Sequence, residues 1–285
     1  MATVLMAWWL ATAPLFPVPV SEAAEPQAGQ EYVPLVSPVM LPGPGAVFEA
    51  VPRVFTERKL FSNTRVTLVR VMLGFGLAAL IGVPLGVAAA CFPAVRAYLY
   101  PITIFGRNIP VAALIPLTFS LFGIGEFQKI MFLFVASVAF VISDATAAVL
   151  EVPQRFVDTA LTLGASRLQI ILKVLVPLAA PVIFNSLRLL FGLAFGYVML
   201  AELVKFGNDS GGLGDLINMS QRRGEREPIL IVLIVIPMLA YGIDRALWWL
   251  QCDLFPYRYG GQGRLPRLVR RLFQAPASAP VEFRS

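Results

Sequence analysis

Histidine is absent from all 285 residues. That excludes histidine-based general acid and base catalysis, Ser-His-Asp triads and histidine-ligated metals. Lysine is scarce: Lys59, Lys129, Lys173 and Lys205 are the four, and none follows a glycine, so no GxxxxGK[ST] phosphate loop is present and ATP is not hydrolysed by that device. The two cysteines, Cys91 and Cys252, are far apart and each closes an apolar run, which reads as two free thiols rather than a disulfide framework. Charge of either sign is thin as well, at 14% of residues. No basic stripe is interleaved with stacking aromatics, so the formal charge of +6 does not point to nucleic acid. Neither a catalytic site nor a cofactor is expected.

What the chain has in abundance is apolar surface: 58% of residues are hydrophobic and the mean hydropathy is +0.75, outside the range of soluble globular domains. The expectation is an all-α polytopic membrane protein with about six transmembrane helices, each needing roughly 20 residues to cross a ~30 Å hydrocarbon core. The six apolar runs are 3–20, 66–91, 97–122, 128–150, 175–206 and 229–252. The first ends in prolines and is followed by SEAAEP, so it reads either as a retained span or as a signal peptide; the lack of a positive n-region favours retention.

Residues 1–65 form an N-terminal span, an extended connector over 21–50 and an interfacial helix. Residues 66–252 form a core of five spans with a loop at 152–173, and 253–285 form a basic tail. Six spans place both termini on one side. Arg258, Arg264, Arg267, Arg270 and Arg271 in the tail assign that side to the cytoplasm, against Arg222, Arg223 and Arg226 on the other. The tail piece RLPRLVRRLF either lies on an anionic membrane surface or is unstructured.

The loop DTALTLGASRLQIILKVLVPLAAP, 158–181, is charged and interrupted where its flanks are apolar. Pro153 is placed to start a helix, and Phe156, Val157, Ala160, Leu161 and Leu163 keep helical spacing up to Gly164. Gly164 takes a left-handed turn without Cβ strain, and a second helix follows, capped by Ser166 or entered at Ala165. Two short helices at an angle make a compact knob at the membrane surface.

Asp158, Thr159, Ala160, Gly164, Ala165, Ser166, Val174 and Pro177 resemble the EAA loop of the permease subunits of ATP-binding-cassette importers: E-A-A, three residues, G, nine residues, then I-x-L-P. Asp158 for Glu, Thr159 for Ala and Val176 for Leu depart from that pattern while keeping charge and approximate size. RVMLGFGLAALIGVPLGV (70–87), FGRNIPVAALIPLTFSLFGIGEFQKI (105–130), SLRLLFGLAFGYVMLAELV (186–204) and GGLGDLI (211–217) are similar to the nitrate, sulfonate, taurine and bicarbonate branch of these permeases. The resemblance implies the type I ABC importer permease fold in a bacterial inner membrane and a homodimer with an alternating-access path. It further implies a cytoplasmic ABC ATPase docked on Asp158, Thr159, Ala160, Gly164, Ala165, Ser166 and Arg167, and an external substrate-binding protein that selects a small, mostly anionic solute. A secondary transporter or channel driven by an ion gradient is the alternative, and it calls for several mid-membrane acids or an inverted repeat, which are not seen.

Within the spans, two GxxxG pairs, Gly82/Gly86 and Gly192/Gly196, mark close helix approach, either inside one subunit or between two. Pro101, Pro110 and Pro116 free the carbonyls of Ala97, Gly106 and Ala112, which are satisfied by neighbouring helices or beside a wet cavity. Arg188 is expected to reach the cytoplasmic interface, and Glu202 to pair locally with Lys205. Arg107, about ten residues into the third span, is expected near mid-bilayer, either in a salt bridge to Asp144 or Glu202 or on the translocation path with Asn108, Pro110 and Glu202.

Overall fold

The computed structural model of the protein describes residues 41–204 and 211–259, together with Trp8, Thr12, Phe16–Pro17 and Tyr32–Val33. The described residues are almost entirely helical: α1 (Pro44–Thr56), α2 (Leu60–Cys91), α3 (Pro93–Asn108), α4 (Val111–Phe122), α5 (Glu126–Leu150), α6 (Gln154–Thr162), α7 (Arg167–Ile170), a π turn (Ile171–Leu175), α8 (Val176–Leu203), α9 (Leu213–Arg223), α10 (Glu227–Leu254) and α11 (Pro256–Tyr259). Of the expected first span, Trp8 and Thr12 are helical, and Phe16–Pro17 pairs antiparallel with Tyr32–Val33. Its remaining residues and the tail from 260 onward lie outside the described residues.

Four helical stretches among the described residues are long and apolar enough to cross a membrane: Leu60–Cys91, Glu126–Leu150, Arg167–Leu203 and Glu227–Leu254. They correspond to four of the expected spans. The stretch 97–122, expected as one span, is instead two helices, with the chain turning by 108° between α3 and α4. Of its three prolines only Pro110 sits at the break, while Pro101 and Pro116 lie inside α3 and α4. A proline disfavours the helical region for the residue before it, and Ile109 accordingly is extended at φ −67°, ψ 128°.

The chain divides into two compact units, and α2, α5, α8 and α10 each lend one end to either unit. The first unit takes Met1–Gly74, Val111–Leu133 and Phe195–Leu239. Val71, Phe132, Leu133, Val198, Leu213 and Val232 are buried in it. α2 and α5 meet closely there, since a Cβ on Gly74 would stand 2.8 Å from both the Ile130 carbonyl and the Leu133 Cβ.

The second unit takes Phe75–Pro110, Phe134–Ala194 and Ala240–Ser285. Glycines on α2 and α3 approach α5 closely. A Cβ on Gly82 would be 2.7 Å from Val141, one on Gly86 2.6 Å from Ala145, and one on Gly106 2.6 Å from Ala139. Thr146 Oγ1 also donates to the Gly86 carbonyl at 3.1 Å. The GxxxG at 82–86 is therefore spent inside the chain. Around Gly192 and Gly196 an added Cβ would meet no atom within 4 Å among the described residues.

Arg188, expected to reach an interface, is tied to α10: its Nε lies 2.8 Å from Asp244 Oδ1, and its Nη1 donates to Gln251 at 3.1 Å. Arg245, next along α10, stacks over Trp248 at 4.4 Å. The packing yields a contrast to be checked by thermal unfolding in detergent. Gly86→Val overpacks the α2 and α5 seam and lowers stability by about 1–3 kcal/mol, whereas Gly192→Ala leaves the monomer unchanged.

Candidate functional site

The interrupted loop folds as two joined helix ends. α6 finishes with Gly164 at φ +77°. The Gly164 amide donates to the Leu161 carbonyl at 2.9 Å and the Ala165 amide to the Ala160 carbonyl at 3.0 Å. This pair of bonds is the Schellman arrangement, which requires positive φ at that position. One residue later the next helix begins with a capping box: Gln169 N–H donates to Ser166 Oγ at 3.4 Å, and Ser166 N–H to Gln169 Oε1 at 2.9 Å. Of the two openings the sequence allowed, the structure takes Ser166 as cap. With Ala165 alone between the two devices, the corner has little freedom.

The knob turns most of its side chains outward. Ala160 and Ile170 are buried, while Asp158, Thr159, Ser166 and Arg167 are exposed. Thr159 Oγ1 folds back onto the Arg155 carbonyl at 2.7 Å, and Asp158 accepts from Gln154 Nε2 at 3.3 Å. Leu161 and Leu168 are exposed too, and Leu163, at the corner itself, is 82% exposed. Bare leucines flanked by Asp158 and Arg167, on a segment too polar to lie in hydrocarbon, make a surface suited to a protein partner. Beyond α7 the helix widens into the π turn, where Val176 N–H bonds the Ile171 carbonyl. Pro177 follows, with no amide for the Lys173 carbonyl and a ring that crowds it, and the wider turn relieves both problems.

Arg107 lies in the last turn of α3, two residues before the break, not midway along a straight span. Its Nη1 donates to Ser143 Oγ at 2.6 Å and stands 3.8 Å from Asp144, with the Phe140 ring at 5.2 Å. Asp144 is thus the acidic neighbour found, one of the two anticipated. The guanidinium remains 42% exposed, leaving donors uncommitted. Asn108 is turned to its own helix, donating to the Ile104 carbonyl at 2.8 Å, and Pro110 is exposed at the break.

Glu202, expected beside Lys205 or on the path, is the centre of a buried knot; Lys205 lies outside the described residues. The Glu202 side chain is 0% exposed and receives Arg70 Nη1 at 2.7 Å. It also receives the Thr67 hydroxyl and the Gly214 amide, both at 2.9 Å. Arg70, 1% exposed, spends its other donors on Glu126 and on the Gly211 carbonyl at 2.8 Å. Asn63 accepts from Gly212 N–H and Thr67 from Leu213 N–H, each at 2.9 Å. Asn63, Thr67, Arg70 and Gly74 recur at intervals of four, three and four, which is one face of α2, and the first three grip the backbone of GGLG.

That segment needs its glycines. Gly211 and Gly212 have φ of +99° and +117°, a Cβ on Gly212 would run into the Glu202 carboxylate, and one on Gly214 would be 2.6 Å from Glu202 Cβ. Arg70, Thr67 and Glu126 escaped the reading of the sequence. The available signal was an arginine four residues inside an expected span, which demands a buried partner.

A model of the family of binding-protein-dependent transport system inner membrane components matches residues 82–247. The chain is 34% identical to the taurine transport system permease protein TauC of Escherichia coli over 78% of this chain and 82% of that one. It is 29% identical to the bicarbonate transport system permease protein CmpB of Synechococcus elongatus, over 68% and 69% respectively. Its fold is similar to that of a chain in a crystal structure of an amino acid ABC transporter, with TM-score 0.61 and 17% identity, covering 70% of this chain and 96% of that one.

Removing Arg70 leaves the Glu202 carboxylate buried without its counter-charge. Arg70→Met is therefore expected to cost about 3–5 kcal/mol, read as a large drop in unfolding temperature in detergent. Arg70→Met combined with Glu202→Met recovers part of that loss.

Proposed function

The chain belongs to the family of binding-protein-dependent transport system inner membrane components, and we propose that, as the permease subunit of an ATP-binding-cassette importer, it carries a small anionic solute across the membrane. The names of the taurine and bicarbonate relatives support that solute class. Arg107 supports it physically: a half-exposed guanidinium beside Ser143 offers forked donors that offset part of the desolvation of an anion, with Asn108 and Pro110 at the same break in the helix. Glu202, with its carboxylate enclosed, is left to hold the GGLG segment rather than to meet solute.

The observation that carries the partner assignment is the knob. Its corner is held by the Gly164 turn and the Ser166 capping box, and it displays Leu161, Leu163 and Leu168 together with Asp158 and Arg167. A cytoplasmic ATPase subunit docks there and moves the spans as rigid bodies when ATP draws two such subunits together. An external binding protein delivers the solute. A second copy of the chain completes the path, and the unfilled Gly192 and Gly196 stripe gives it a place for close approach. The chain crosses the inner membrane several times with both ends in the cytoplasm, a reading that the tail arginines support.

Gly164→Val tests the knob, because valine does not readily adopt positive φ. The variant is expected to insert normally and to lose copurification with the ATPase. Wild-type copurification together with full transport would show the docking surface to be elsewhere.

Arg107→Gln tests the path. The complex is expected to assemble, with hydrolysis still responding to the binding protein, while anion uptake falls about tenfold, the loss of one charge-assisted contact. Uptake at the normal rate removes Arg107 from the path.

A further inference from the structure

The root of α8 is fastened to the end of α10 and to α11 by a set of bonds that the importer reading does not use. Pro181, inside α8, has no amide to offer the Pro177 carbonyl four residues back. The hydroxyl of Tyr257, on α11, donates to that carbonyl at 2.6 Å. The Phe255 ring stands edge-on to Phe184 at 5.9 Å and to Tyr257 at 6.1 Å. Gln251 Nε2 donates to the Pro181 carbonyl at 3.1 Å, and Arg188 reaches Gln251 and Asp244. Tyr257, Phe255, Gln251 and Asp244 thus meet Pro177, Phe184, Pro181 and Arg188, and the two segments are closed like a zip whose last tooth is Tyr257.

The last tooth sits at a junction. Immediately before Pro177 comes the π turn, and before that the capped corner of the knob. Between Pro177 and Arg188, α8 is tied to α10 and α11, while the five residues Ile171–Leu175 are held in a register that forms longer, weaker loops of hydrogen bonding. We propose that Tyr257 is a positioning residue for transport: by holding the Pro177 carbonyl it makes α8 and α10 move together when the knob is displaced, so that motion is not dissipated in the π turn. This rests on the knob being the ATPase dock.

Satisfying the carbonyl is not sufficient reason for the tyrosine. Pro177 is exposed, and Tyr257 itself is 62% exposed; water reaches such a carbonyl and bonds it nearly as well. What water does not supply is a fixed connection to α11. Burial of part of the ring pushes the Tyr257 phenol above its ordinary pKa, so the donor stays protonated at neutral pH.

Tyr257→Phe keeps the ring and its contacts with Phe255 and removes only the donor. In the full chain, purified in nanodiscs, amide exchange across 167–176 is expected to rise at least tenfold. In the complex purified with its ATPase subunit, hydrolysis without binding protein is unchanged, and the stimulation produced by the binding protein, as isolated with its own solute, falls at least threefold. Pro181→Ala gives the Pro177 carbonyl an intrahelical partner. Added to Tyr257→Phe, it is expected to leave both the fast exchange and the lost stimulation in place, and its mended helix preserves folding should the single variant accumulate poorly. Recovery of both in the double variant would mean that only the unbonded carbonyl mattered, and wild-type exchange and stimulation in Tyr257→Phe would equally overturn the proposal. If no ATPase accompanies the wild-type chain, the importer reading fails, and exchange on the chain alone still decides the tie.

Discussion

Hydrocarbon offers no water to a backbone carbonyl that has lost its partner, and among the described residues prolines lie inside every long helix but α5. Each orphaned carbonyl must be bonded by something else or the helix must change its course. Both solutions are used. Pro93 leaves the Ala89 carbonyl at the end of α2, and Arg96 Nε takes it at 3.0 Å while its Nη2 takes that of Ala90 at 2.6 Å. Pro181 leaves the Pro177 carbonyl, which water also reaches, and Tyr257 takes it. At two other prolines the path itself changes: α3 stops before Pro110 and the chain turns, and ahead of Pro177 the helix opens into a π turn. The two places with the strongest functional reading, the Arg107 turn and the root of the knob, are both consequences of that constraint.

Charge obeys a similar rule. Arg70 and Glu202 are enclosed, and a buried ion pair is tolerable only when the remaining donors and acceptors are also bonded. Here Thr67, Gly214, Glu126 and the Gly211 carbonyl complete the set. The result is specificity of place. GGLG is held by one face of α2 through its backbone, which is why three of its four residues are glycine. Arg107, by contrast, keeps much of its surface open. One arginine is committed to structure and the other is available, a distinction made by exposure and partners and not by residue type.

The knob was legible in advance because its signals are local. A glycine that ends one helix and a serine followed three residues later by glutamine act within a few residues, so their pattern specifies the turn wherever the segment is placed. The long apolar runs were legible for the same reason, since length and composition alone decide whether a helix suits a bilayer. Local signals were insufficient at 97–122, where three prolines looked equivalent and only Pro110 broke the span.

Alone, then, the sequence determined the helical membrane class, the position of four long spans, the corner at Gly164 and Ser166, and the resemblance to importer permeases. Tertiary structure decided which side chains meet across helices: Glu202 with Arg70, Arg107 with Ser143 and Asp144, Arg188 with Asp244, and Tyr257 with Pro177. It also decided that Gly82 and Gly86 are filled by α5 while Gly192 and Gly196 are not. The physical reason is one of range. Capping and hydropathy act over one or two turns, whereas pairing across helices depends on which faces are brought together over separations of 36 to 132 residues, and a single sequence does not encode that juxtaposition in any pattern shorter than the fold itself.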